Sequence, residues 1–201
     1  MKVTPTALPG VLLVEPKVFG DVRGYFFEAY SARRYAEAGI PPAPAAFVQD
    51  NVSFSQRGVL RGLHFQHPYG QGKLVGVLRG EVFDVAVDVR RGSPTFGRWV
   101  GERLSGENAR QLYIPPGFAH GFLVMSDEAL FAYKCTDYYH PEAERSIRWD
   151  DPRIGVEWPV DGPVVSAKDG VALTLDAMPD KFLPLYDAIA TGPSSAAGAD
   201  D

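Results

Sequence analysis

The chain has 201 residues, 45% of them apolar, and a formal net charge of −5. That length suits one domain with a sizeable core. The charge argues against a nucleic-acid protein, because no excess of Lys and Arg is available to neutralise a phosphate backbone, although a local arginine cluster can still hold one small anion.

From the N-terminus, MKVTPTALPGVLLVEPK holds no apolar run long enough for a signal peptide or a membrane span. A soluble cytoplasmic protein with no membrane partner is expected. VLLVEP (11–16) and YFFEAY (25–30) read as strands. SARRYAEAG (31–39) reads as a helix, with Ser31 as N-cap and Gly39 as terminator. Strands follow at FVQDNVSFS (47–55), LRGLHFQ (60–66) and KLVGVL (73–78). Arg79-Gly80-Glu81 reads as a tight hairpin into VFDVAVDV (82–89). There Phe83, Val85, Val87 and Val89 share one face; Val82, Asp84, Ala86 and Asp88 share the other. WVGERL, QLYIP, GFLVMS and ALFAYKCTDYY complete the strands, the last placing Phe131, Tyr133, Cys135, Asp137 and Tyr139 on one face. Cys135 is the one cysteine, so no internal disulfide forms. DKFLPLYDAI (180–189) reads as a short helix broken at Pro184, and the small polar residues of 188–201 as a disordered tail.

With 21 glycines and 17 prolines between short apolar runs, this is the punctuation of an all-β protein. A sandwich or barrel of jelly-roll type with short peripheral helices is expected, as one domain over residues 1–187. Its interior would be lined by the inward members of alternating strands.

The stretch RGLHFQHPYGQGKLV (61–75) poses a metal question. Cupins bind metal through two histidines one residue apart, then a glutamate and a glycine, with a third histidine from Pro-x-Gly-x-x-His. Pro115–His120 supplies that second motif. The first is altered. His64 and His67 are three apart, so a strand puts them on opposite faces. Lys73 stands where the glutamate falls when counted back from Gly80, and an ammonium repels a cation. A cavity without a metal is expected, with His67 a solvated loop residue before Pro68. Register across Arg79-Gly80 places Lys73 with Val75, Asp84 and Ala86. If that face is interior, Asp84 needs a partner, and Lys73 is the near one. An outward surface ion pair remains the alternative at this point.

The strings DVRGYFFE, FVQDN, GVLRGLHFQ, QGKLVGVLRGEVFDVAVDVRRGSPTFG, YIPPGFAHGF, YKCTDYY and SAKD follow one another in order. Together they closely resemble the dTDP-4-dehydrorhamnose 3,5-epimerase family, collinearly from about residue 3 to residue 187. The resemblance implies a cupin jelly roll without metal or cofactor, and a homodimer with exchanged N-terminal strands. The implied reaction converts dTDP-4-dehydro-6-deoxy-D-glucose to dTDP-4-dehydro-L-rhamnose through enolates, in dTDP-L-rhamnose biosynthesis. Sibling enzymes that invert only C3 or only C5, and a non-catalytic cupin sugar-binding module, are the competing readings.

The chemistry asks for a base on one face of the sugar, an acid on the other and a positive group at the C4 oxygen. By resemblance His64 is the base with Asp169 as its dyad partner, Lys73 faces the enolate oxygen and Tyr133 is the acid. Arg23, Arg61 and Lys168 would hold the pyrophosphate. Glu28, Gln49, Asn51, His120 and Glu144 match ligand-contacting positions. Tyr139 matches the aromatic that stacks on thymine, and Phe19 is a further candidate for that end.

Overall fold

Period-two alternation becomes strand nearly wherever the sequence carries it. The computed structural model describes residues 1–186. In chain order its strands are β1 (Lys2–Pro5), β2 (Leu12–Glu15), β3 (Val18–Asp21), β4 (Gly24–Phe27), β5 (Gln49–Gln56), β6 (Leu60–Gln66), β7 (Lys73–Arg79), β8 (Glu81–Asp88), β9 (Trp99–Ser105), β10 (Gln111–Ile114), β11 (Phe118–Val124), β12 (Glu128–Cys135) and β13 (Glu144–Ser146). Two short helices, α1 (Ala32–Glu37) and α2 (Ala167–Gly170), lie outside them. None of the described helices is long and apolar enough to cross a membrane. The tail expected over 188–201 lies outside the described residues.

Two antiparallel sheets face each other in jelly-roll fashion, with strand orders β1-β2-β10-β7-β12-β5 and β13-β6-β11-β8-β9. β3 and β4 form a separate hairpin. Between the sheets lies a core that includes Val75, Val77, Val82, Ala86, Leu112, Phe122 and Phe131. Each of the Val, Leu and Phe side chains contributes about 1.5–3 kcal/mol by leaving water. A second core packs Leu63, Phe65, Val85 and Val87 against Ile147, Ile154, Leu175 and Leu183 of the C-terminal segments. β8 is therefore apolar on both faces. Its exceptions on the inner-core parity, Asp84 and Asp88, are both fully buried. Tyr35 of α1 joins Val14, Leu74 and Tyr113 in a third cluster on the outer side of the larger sheet.

Two local expectations need correction. β7 and β8 do not pair as a hairpin. β7 pairs with β10 and β12, and β8 with β9 and β11. Gly80, at φ 83°, turns the chain from one sheet into the other, and a Cβ there would collide with Glu128 O. The faces survive the change: Val75 and Ala86 still meet in the core between the sheets. Ser31 does stand at the N-cap of α1, as expected, though its side chain makes no cap bond. β12 ends at Cys135, so Asp137 and Tyr139 do not continue its inward face.

Candidate active site

One close approach of backbone sets the centre of the site. Gly62 on β6 faces Gly121 on β11, where the pairing carries a bulge. A Cβ on Gly62 would stand 2.5 Å from Gly121 Cα, and its φ of 131° suits only glycine. Past that contact, His64 and His120 are cross-strand partners.

Each histidine is held by a buried carboxylate. His64 Nε2 lies 2.6 Å from Asp169 Oδ1. Asp169 stands on the single turn of α2, whose N-cap Ser166 accepts the Asp169 N–H at 3.1 Å. Burial works to raise the Asp169 carboxyl. Hydrogen bonds from His64 and from the Gly62 backbone, with the His64 charge, outweigh it and hold the group below the usual carboxylate range. His120 Nε2 lies 2.9 Å from Asp84 Oδ2, and its ring stacks on Phe131 at 6.0 Å between centroids. Asp84 thus pairs with His120 and makes no ion pair with Lys73. Its face is interior rather than outward, and its partner comes from β11, its neighbour within the same sheet.

A cavity of about 480 Å³ opens over these pairs, lined by Arg61, His64, Lys73, His120, Tyr133, Lys168 and Asp169 on its polar side. Leu60, Phe122, Phe131, Val164 and Val165 supply an apolar side. An adjoining cavity of about 290 Å³ shares His64, Lys73 and Tyr133 and adds Gln49, Asn51, Tyr139 and Glu144. Burial pulls the Lys73 amine down from its ordinary value, against the attraction of Cys135, Asp84 and Glu144. Burial also pushes the Tyr133 phenol up, while Arg61 works the other way. Arg61 is anchored through Nε to Ser55 Oγ at 3.0 Å.

The second cavity is organised by polar contacts. Gln49 Nε2 donates to Asn51 Oδ1 at 3.0 Å, and Gln49 Oε1 accepts the Tyr139 N–H at 3.1 Å. Tyr139 donates its hydroxyl to Glu144 at 3.0 Å, and Lys168 donates to the same carboxylate oxygen. Burial tends to raise the Glu144 carboxyl, but Lys168 and Tyr139 bring it below its usual value. The Tyr139 ring is half exposed, free to meet a planar ring.

Three expected site residues are not brought here by their own chain. Arg23 sits at the exposed tip of the β3–β4 hairpin and bonds Asp21. Phe19 lies on the same hairpin under Lys17, and Glu28 pairs with Arg34 at 3.1 Å. His67, expected in solvent, is half-buried, and burial pulls its imidazole down. Among the described residues no group of three His, Cys, Asp or Glu side chains converges as a metal site requires.

A carboxylate-braced imidazole, a half-buried amine and a half-buried phenol around one sugar-sized cavity make a jelly-roll enzyme outfitted to move protons on carbon. A family model described as dTDP-4-dehydrorhamnose 3,5-epimerase matches residues 5–177. The dTDP-4-dehydrorhamnose 3,5-epimerase of Pseudomonas aeruginosa is 61% identical over 170 residues, covering 84% of this chain and 93% of that protein. A crystal structure of dTDP-6-deoxy-D-glucose-3,5-epimerase from Legionella pneumophila, in complex with dTDP-4-keto-L-rhamnose, superposes with a TM-score of 0.89 at 55% identity. It covers 93% of this chain and 99% of that one. The dTDP-4-dehydrorhamnose 3-epimerase of Streptomyces niveus is 40% identical over 203 residues, 99% of this chain and 97% of that protein. The chain belongs to the dTDP-4-dehydrorhamnose 3,5-epimerase family.

Sequence reasoning gave Asp84 no role in the site, though an aspartate inside an apolar strand was its signal. It also did not reach the apolar side of the cavity. Phe122 and Phe131 stack at 4.1 Å there, but from the sequence they are two core phenylalanines among several.

Proposed function

We propose that this chain inverts C3 and C5 of dTDP-4-dehydro-6-deoxy-D-glucose to give dTDP-4-dehydro-L-rhamnose, on the route to dTDP-L-rhamnose. The observation that carries the reading is the meeting of the His64–Asp169 pair, Lys73 and Tyr133 in one cavity. The C4 ketone makes the protons on C3 and C5 acidic. His64 removes one, leaving an enolate whose charge rests on the C4 oxygen. Lys73 supplies the positive charge for that oxygen. Tyr133 returns a proton from the other face, inverting the centre, and the sequence repeats at the second carbon. No metal or cofactor takes part: both histidines are engaged by carboxylates, and the third cavity group is an amine.

Arg61 and Lys168 hold the pyrophosphate, Arg61 through its forked donors. Gln49, Asn51 and Glu144 fix the nucleoside end, where Tyr139 stacks on the thymine. The unpaired, buried Cys135 suits a reducing compartment, in keeping with work in the cytoplasm. Residues 1–187 act as one domain.

Incubation with dTDP-4-dehydro-6-deoxy-D-glucose in deuterated water is the direct test. Deuterium is expected at both C3 and C5. Deuterium at one position alone would assign the chain to the single-centre epimerases, and none at either would end the enzymatic reading.

The working unit proposed is a homodimer that exchanges its N-terminal strands. The β3–β4 hairpin exposes Phe19, Val22, Tyr25 and Phe26, an apolar load that a soluble monomer rarely carries. Val52, Phe54 and Leu78 are exposed on the larger sheet. One hairpin would cross to the other copy and deliver Arg23, Phe19 and Glu28 to its cavity. Complementation decides this. Arg23→Ala and His64→Ala are each expected to be impaired, and mixing the two proteins should restore activity. One site of each mixed dimer then has both residues intact. No recovery on mixing, with dimers present, would place Arg23 in its own chain's site and sink the exchange.

A further inference from the structure

The mechanism leaves one buried charge unused. Asp84 is fully buried on β8, and only half of its carboxylate is satisfied. Oδ2 holds His120 Nε2 at 2.9 Å. Oδ1 is buried with no hydrogen-bond partner among the described residues. Such an atom is costly and persists for a reason. Close by, Lys73 lines the cavity with no carboxylate within ion-pair distance among the described residues, although it feels the charge of Asp84.

The groups around Lys73 come from every element packed against the cavity. They are the Cys135 thiol and Tyr133 phenol of β12, Asp84 of β8, His120 of β11, His64 and Arg61 of β6, Asp169 and Lys168 of α2 and Glu144 of β13. Asp169 is committed to His64, and Glu144 to Lys168 and Tyr139. Cys135 and Tyr133 are neutral, since burial pushes both above their ordinary values. Asp84 is therefore the fully buried carboxyl group with one oxygen left unpartnered among the described residues.

We propose that Asp84 is a positioning residue. It lies on the inner parity of β8 as Lys73 does on that of β7, the faces on which Ala86 and Val75 meet, so that its charge keeps the lysine an ammonium in the reaction, and Oδ2 fixes the His120 ring at the cavity wall. The role rests on the epimerase reading above but concerns a group that does not line the cavity itself. The tautomer follows from that charge. A carboxylate only accepts, so His120 carries its proton on Nε2. Nδ1 is then the ring atom left for a ligand. Lys73 and Asp84 depend on each other, because burial drives the amine and the acid each towards neutrality and their mutual attraction opposes it.

Asp84→Asn keeps the shape and removes the charge. The alkaline limb of its kcat/KM profile is expected to move down by about one pH unit or more, since Lys73 then loses its proton more easily. At neutral pH kcat should fall about tenfold or more with KM nearly unchanged. Asp84→Glu should recover part of both. A residue that merely supports the fold would lower the thermal midpoint but leave the alkaline limb in place, and that result would overturn the proposal. Competitive labelling of Lys73 with acetic anhydride in the unaltered enzyme gives a second route that needs neither turnover nor a folded variant. Lys73 should label as an ammonium through pH 7; a lysine already neutral there overturns the proposal. If the unaltered enzyme does not epimerise at all, the functional reading fails while the labelling still judges the Asp84–Lys73 relation.

Discussion

His64→Ala is expected to lower epimerisation and solvent exchange at C3 and C5 together, by roughly 10²-fold or more, the usual scale for loss of a general base. The reason lies in how the imidazole is held. Asp169 is a carboxylate at working pH, because hydrogen bonds from His64 and Gly62 hold its carboxyl below the ordinary range despite burial. It therefore accepts from His64 Nε2 across 2.6 Å, which leaves Nδ1 as the basic atom. When that nitrogen takes the α-proton, the imidazolium forms against a charge already in place. Alanine removes the acceptor, so no enolate forms and exchange stops with inversion. Binding should change far less, since Arg61, Lys168, Gln49 and Tyr139 remain. dTDP affinity, measured by calorimetry, is expected to stay within a few-fold, on the order of 1 kcal/mol or less. Exchange persisting at one carbon in this variant would mean that a second base serves that centre.

The strands could be read from the sequence because their period is local. LRGLHFQ is β6 residue for residue, and the two faces of VFDVAVDV separate into two different cores. What local pattern does not carry is which strand lies beside which. The turn at Arg79-Gly80-Glu81 looks the same whether it closes a hairpin or turns a corner between sheets. The answer depends on β11, which begins 37 residues after Glu81, taking the place beside β8. The partner of Asp84 was misread for the same reason. Lys73 is near in sequence, but His120 is near in the sheet.

The site was legible only in part from chemistry. Lys73 in a glutamate's place and the split of His64 from His67 speak against a cupin metal set by charge and strand geometry alone. The His64–Asp169 pair does not follow that way. Asp169 is 105 residues away on a single helical turn, and only resemblance joins the two in the sequence. Arg23, Phe19 and Glu28 mark the other limit. They sit on an arm that the single chain leaves in solvent, so neither local pattern nor the fold of one copy brings them to the cavity.

Tyr133→Phe is expected to separate two quantities that His64→Ala moves together. Burial pushes the phenol above its ordinary value, so it enters the reaction protonated. Arg61, on the same cavity, favours the phenolate left behind once the proton is given up. The hydroxyl is thus a suitable acid whose conjugate base is also provided for. Phenylalanine keeps the ring, and with it the contact to Phe131 at 6.0 Å, so the cavity should hold its shape. His64 still forms the enolate, and Lys73 still stabilises it. Without a proton from the far face, the enolate takes one back from the face it lost it on. That return exchanges solvent hydrogen into the sugar and leaves the configuration unchanged. Epimerisation should therefore fall by roughly 10²-fold or more while exchange falls much less. NMR of the sugar in deuterated water measures exchange, and a coupled reductase assay measures inversion. Equal loss of both would remove Tyr133 from the acid's place and require another proton donor on that face of the cavity.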